Sequence, residues 1–153
     1  MPVRWRRKGY EVRFAGKKAP VSGGSKGIGA EIARKLAEEG CDLVVASRTA
    51  AALENLAVDI QRSAGRKVVI EAVDLSDENA EVELDARHPD VDILVNNAGA
   101  LPGGHVLDLD EPTWRKSRDL KVFGYIGMCR EFYRSFKARG WERSSTLSVL
   151  ARS

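Results

Sequence analysis

Val21-Ser22-Gly23-Gly24-Ser25-Lys26-Gly27-Ile28-Gly29 is the stretch that decides the fold of this 153-residue chain. Its glycines fall at 23, 27 and 29, the spacing G-x-x-x-G-x-G, between a short apolar segment and an amphipathic one. Glycine lets a backbone turn sharply and lets a phosphate approach main-chain N–H groups. A helix starting just after the turn would aim its free N–H groups and positive dipole end at that anion. A strand before and a helix after are what a dinucleotide-binding turn requires, and both neighbours are legible here.

Upstream, Lys18–Ser22 is expected to be the first strand, although Pro20 has no N–H for a sheet ladder and sits awkwardly there. Downstream, Ile28, Ile32, Leu36 and Ala37 recur at helical spacing with Glu31, Arg34, Lys35 and Glu38 between them, and Gly40 reads as the stop. Asp42–Ala46 is a continuous apolar strand, as in a sheet buried on both faces. Thr49 stands where it can cap a helix reaching about Ala64, with Leu53, Leu56, Ala57 and Ile60 inward and Gly65 as the stop. Lys67–Val73 and Val91–Val95 read as the third and fourth strands. Between them, 76–89 is acidic and poorly patterned, with Ser76 a candidate cap. A long helix is expected from Pro112 to about Ala138, ended by Gly140. The domain organisation expected is a flexible basic extension over 1–13, a dinucleotide-binding domain over 14–140 and an irregular tail over 141–153.

Strands alternating with helices imply a parallel sheet with right-handed crossovers. Ligands of such sheets bind beyond the carboxyl ends of the strands. Gly23, Ser47 with Arg48, Asp74 and Asn96 each follow one of the four strands, so the residues with distinctive chemistry all fall at such ends.

Composition narrows the alternatives. A hydrophobic fraction of 43% and a charged fraction of 31% fit one globular domain. No run approaches the roughly 18 apolar residues of a membrane span. Cys41 and Cys129 are far apart and read as reduced thiols of a cytoplasmic protein, and with His88 and His105 standing alone no metal site is expected. The net charge of +3 is unevenly spread: residues 1–18 hold seven basic groups against Glu11, and 115–153 hold ten against three acidic groups. These ends read as a solvated tail and a charged helix face, with no nucleic-acid or membrane partner expected.

With these pieces assembled, the chain resembles the N-terminal part of the short-chain dehydrogenase/reductase family. The matching motifs are Ser22 to Gly29, Asp74-Leu75 and Asn96-Asn97-Ala98-Gly99, in order, within a span of roughly Arg13 to Gly140. The resemblance implies a Rossmann-like doubly wound parallel α/β sheet, here truncated after about four strands. It also implies a cofactor held by Ser22, Gly23, Ser25, Lys26, Gly27, Ile28 and Gly29 at the pyrophosphate. Asp74 and Leu75 would lie by the adenine, and Asn96, Ala98 and Gly99 by the adenosine ribose. At the end of the second strand stands Ser47-Arg48 rather than an acidic residue. An Arg there suits a 2′-phosphate, and Lys26 adds a second cation, so NADP is expected over NAD. The substrate implied is a small alcohol or carbonyl of unknown identity.

The resemblance also implies a catalytic Ser, Tyr and Lys, the last two spaced Y-x-x-x-K. Tyr133-Arg-Ser-Phe-Lys137 has that spacing but lies on the helix before any fifth strand, one helical turn apart as any amphipathic helix provides. It is read as a decoy, and no catalytic residue is assigned. Counting from Trp114, the family's helical Asn falls on Lys121. After residue 140 the character changes abruptly, which suggests a truncated member and which a shifted reading frame would explain. Three functions stay open: an NADP-dependent oxidoreductase, an inactive NADP(H)-binding fragment, and an interaction module pairing as a homo-oligomer through 112–138, with Met128, Phe132 and Phe136 as its contact residues.

Overall fold

A computed structural model describes residues 14–99, 105, 107–140 and 146–148. The expected extension over 1–13 and most of the expected tail lie outside these residues. The elements run β1 (Lys18–Ser22), α1 (Gly27–Glu38), β2 (Asp42–Ser47), α2 (Ala50–Ala64), β3 (Val68–Ala72), α3 (Ala80–Arg87) and β4 (Leu94–Asn96). Then come α4 (Glu111–Arg118), a π-helical stretch (Asp119–Gly124), α5 (Tyr125–Ala138) and β5 (Thr146–Ser148). All described strands are parallel, in the order β3-β2-β1-β4-β5. The doubly wound α/β class is therefore the observed one. The expected sheet of about four strands is present, with a three-residue β5 added at its edge, where Thr146, Leu147 and Ser148 pair with Leu94, Val95 and Asn96. That tail carries too little apolar pattern to announce a strand.

Side-chain alternation explains how one sheet serves two cores. Along β2, Leu43 and Val45 join Ala19 and Val21 of β1 under α1 and α2, whereas Val44 and Ala46 face α3 and α5. Helix α1 buries Ala30, Ala33 and Ala37. The expected inward row is corrected: Ile28 is 46% exposed, and Ile32 and Leu36 flank the core rather than fill it. Small residues let this helix lie close to the sheet, and the larger ones are turned to its side. Gly40, at φ +92°, closes α1: its N–H reaches the Ala37 carbonyl while Cys41 N–H reaches Leu36, the paired bonds of a Schellman cap.

Pro20 is accommodated by direction. Lys17 O accepts from Asp42 N–H and Gly23 N–H donates to Ala46, so odd-numbered residues of this strand face β2. Even-numbered Lys18 exchanges bonds with Asp92 instead. The missing donor of Pro20 therefore faces β4, where pairing is reduced to Val21↔Val95, while β2 keeps the full ladder from Lys18↔Asp42 to Ser22↔Ala46.

Two expected caps are absent. Thr49 occupies the N-cap of α2 without a side-chain bond, and Ser76 turns to Asp74, leaving α3 to start after Asn79, whose φ is +64°. Asp110 caps α4 instead, accepting from Thr113 N–H at 3.0 Å. Met128, Phe132 and Phe136, expected on an oligomer face, are buried against the sheet. The outward apolar residues of this helical region are Trp114, Val122, Phe123, Ile126 and Tyr133. Among the described residues, no helix is long and apolar enough to cross a membrane.

Candidate functional site

The glycine turn is wired to the end of β4. Ser22 Oγ accepts the N–H groups of Asn97 at 2.9 Å and Ala98 at 3.0 Å, and donates to Val95 O at 3.3 Å. Asn97 Nδ2 donates back to the carbonyls of Ser22 at 3.2 Å and Gly23 at 3.1 Å. These bonds cross from residue 22–23 to residue 97–98 and hold the two loops as one unit. Ser22, expected at the pyrophosphate, is buried and acts as this staple. Asn97, quoted in the motif but assigned no role from the sequence, makes long-range bonds, and the signal for it was an amide placed just past a buried strand beside a glycine turn.

Each glycine of the turn has its own reason. A Cβ at Gly23, whose φ is +66°, would lie 2.9 Å from Ala98 Cα; one at Gly29 would lie 2.2 Å from Gly23 O and 2.4 Å from Asn97 Nδ2. Gly27, at φ +56°, has nothing within 4 Å of its missing Cβ. It is the first residue of α1, after Lys26 in extended conformation. No side chain caps this helix and its first turn holds no acidic residue. The first N–H groups of a helix lack intrahelical acceptors, so the exposed Lys26 and Gly27 stand at a bare, positively polarised terminus. A phosphate group fits there, in the space a side chain at residue 27 would fill. Ser25 is half-buried and Ile28 exposed beside it.

The remaining expected residues divide into outward and inward sets. Arg48 and Asp74 stand side by side at the carboxyl ends of β2 and β3, with Nη1 and Oδ2 3.9 Å apart. Asp74 Oδ1 accepts from Ser76 Oγ at 2.6 Å and Ser76 N at 3.0 Å, and these bonds, with the cations of Arg48 and Lys116, hold its carboxyl below the ordinary carboxylate range. Ser47 Oγ accepts from Thr49 N–H. Leu75 is buried in the α3/α5 core. Asn96 is fully buried, its Nδ2 3.1 Å from Cys129 Sγ and its Oδ1 without a hydrogen-bond partner. Gly99 is exposed, and the Lys121 stem lies across it: a Cβ there would meet Cε at 3.0 Å and Cγ at 3.2 Å. The π-helical stretch brings Lys121 over the end of β4.

Tyr133 and Lys137 lie elsewhere. They belong to the last turns of α5, where Ser135 bonds Asp85 of α3 and Arg139 donates to the carbonyl of Val91, just before β4 begins. Tyr133 follows Cys129, whose Sγ meets Asn96 Nδ2, by one helical turn and is 49% exposed, and the helix runs on from there to Arg139 on the amino side of β4. A groove of about 710 Å³ along Phe14, Ile28, Ile32 and Leu36 meets the glycine turn at Gly27 and includes none of Arg48, Asp74 or Asn97.

Comparison with known proteins agrees with this geometry. Residues 17–145 match the family model described as short chain dehydrogenase. Galactitol 2-dehydrogenase (L-tagatose-forming) of Cereibacter sphaeroides is 36% identical over 84% of this chain and 50% of its own length. Human dehydrogenase/reductase SDR family member 11 is 31% identical over 90% of this chain and 55% of its own. Among solved structures, L-sorbose reductase from Gluconobacter frateurii complexed with NADPH and L-sorbose superposes with a TM-score of 0.77 at 27% identity, covering 88% of this chain and 52% of that one. The chain spans about half the length of the curated relatives it matches. With the glycine turn, the Asn-Asn-Ala-Gly turn and the strand order in place, it belongs to the short-chain dehydrogenase/reductase family.

Proposed function

We propose that this chain is the cofactor-holding half of an NADP(H)-dependent oxidoreductase acting on a small alcohol or carbonyl. The observation that carries the proposal is the bare N-terminus of α1 at Lys26 and Gly27, stapled by Ser22 and Asn97 to the end of β4. The α1 N–H groups and Lys26 would hold the pyrophosphate. Arg48, at the end of β2, would take the 2′-phosphate, and Asp74 would border the adenine. A bound nicotinamide supplies or accepts the hydride. Two similar solved structures are complexes with NADP-type ligands, the sorbose reductase with NADPH and an alcohol dehydrogenase from Thermococcus sibiricus with 5-hydroxy-NADP, which supports NADP over NAD.

A second reading, nucleotide binding without turnover by these 153 residues, is favoured by one observation. Tyr133 is 49% exposed and Lys137 is exposed, on a helix that runs away from the carboxyl end of β4, so this pair gives the site no placed proton donor. Titration with NADPH and NADH, followed by nucleotide fluorescence, tests the cofactor reading, and a panel of carbonyl substrates tests turnover. Saturable NADPH binding tighter than NADH is expected, with no turnover. Turnover that Tyr133→Phe abolishes would return Tyr133 to the reaction. The proposal includes self-association through the exposed Val122, Phe123 and Ile126 face, which sedimentation measures.

A further inference from the structure

The cation at the end of β2 already faces an anion. Ser47 O accepts the N–H of Val73 at 3.0 Å, so Arg48 and Asp74 each stand one residue beyond the same interstrand bond. Ser76 occupies Asp74 Oδ1 through two hydrogen bonds, and Oδ2 is left toward Arg48 Nη1 at 3.9 Å. The two side chains are 67% and 34% exposed, so a ligand can reach the pair. Exposed ion pairs are weak, and a phosphate can take a guanidinium bidentately. When it does, the Asp74 carboxylate stays fixed by Ser76 next to the incoming anion.

Resting on the NADP(H) reading above, we infer that Asp74 sets the cofactor preference through Arg48, its carboxylate competing with the 2′-phosphate for the guanidinium and narrowing the preference for NADPH over NADH. The 2′-hydroxyl of NADH carries no charge to be repelled, so its binding is insensitive to this competition. Asp74 is a positioning residue here, and its effect needs Arg48.

The test measures NADPH and NADH dissociation constants on the full chain by nucleotide fluorescence, with a thermal melt of each variant. The variants are Asp74→Asn, Arg48→Gln and the two combined, with Asp74→Ser as the neutral replacement should Asp74→Asn fail to fold. Asp74→Asn is expected to raise the preference for NADPH over NADH, the ratio of the two dissociation constants, about two- to fivefold, the upper range of an exposed charge pair, any change at the adenine being common to both nucleotides. The gain disappears in the Arg48→Gln background and shrinks in molar salt. Equal tightening of both nucleotides, a gain that persists without Arg48, or no gain at all overturns the inference alone. Failure of the unsubstituted chain to bind either nucleotide overturns the cofactor reading and the inference with it.

Discussion

On one side of β1 the ladder runs in step from Lys18↔Asp42 to Ser22↔Ala46 and continues from Leu43↔Val68 to Ser47↔Ala72; on the other it narrows to Val21↔Val95. The β1–β2–β3 half is held mainly by backbone bonds, with both helices closed by left-handed glycines, Gly40 and Gly65. The β4–β5 half depends on side chains. Asp92 receives Lys17 Nζ and Lys18 N–H, Ser22 and Asn97 staple the far end, and Phe132 fills the space under α5. The anion cradle belongs to the first half, and Tyr133 and Lys137 to the second. A proline in β1 is tolerated because its defect falls on the side that side chains hold.

Breaking the side-chain half should cost most. Phe132→Ala removes a fully buried ring and is expected to destabilise by about 3–5 kcal/mol in urea unfolding. Phe123→Ala, 58% exposed on the same helical region, should stay within about 0.5 kcal/mol. In the backbone half, Gly29→Ala forces a Cβ onto Gly23 O and should cost about 1–3 kcal/mol along with nucleotide binding. Gly27→Ala sharpens the contrast: its Cβ meets open space, so only the left-handed backbone, about 1–2 kcal/mol, is charged to stability, while the methyl enters the phosphate position and NADPH binding falls. Asn97→Ala tests the junction between the halves. It strips the Asn97 bonds from two carbonyls and should cost about 1–3 kcal/mol.

Acid should act on both halves by a smaller amount. Hydrogen bonds from Ser76 to Asp74, from Lys18 to Asp90 and from Thr113 to Asp110 hold these carboxyls below their ordinary 3.8. Folded values below unfolded ones mean that their contribution is complete above about that pH and is lost as pH falls through the lowered values. Thermal melts should therefore be flat in this respect from pH 7 to 5 and decline below 3.8. Cys41 offers the mildest probe: burial pushes its thiol up to about 12, so alkylation at pH 8 should label it only after unfolding.

The stiff half was legible in the sequence because its signals are local. Gly23 to Gly29, the apolar run of β2 and the stop at Gly65 each announce their own structure, and strand ends located Arg48 and Asp74 together. The other half was harder because its order comes from contacts distant in sequence. Nothing near Thr146 says that it will pair with Leu94, and helical periodicity cannot say that Phe132 turns inward while Phe123 turns out. Ile28 and Ile32 misled for a related reason, since a helix pressed close to a sheet buries its alanines. Asn97 received no role from the sequence because its partners lie in the turn after β1. The π-helical stretch that lays Lys121 over Gly99 has no periodic signature at all.

On the proposed reading, the carboxyl ends of β1 and β2 hold NADP(H), with Arg48 reading its 2′-phosphate. Titrating the chain and its Arg48→Gln variant with NADPH and NADH tests it most directly. Saturable binding of both nucleotides by the unsubstituted chain is expected, with NADPH tighter, and a loss of about tenfold in NADPH affinity on substitution, the worth of one charge-assisted phosphate contact, with NADH little changed. Absence of saturable binding, or NADPH affinity indifferent to Arg48, would contradict it.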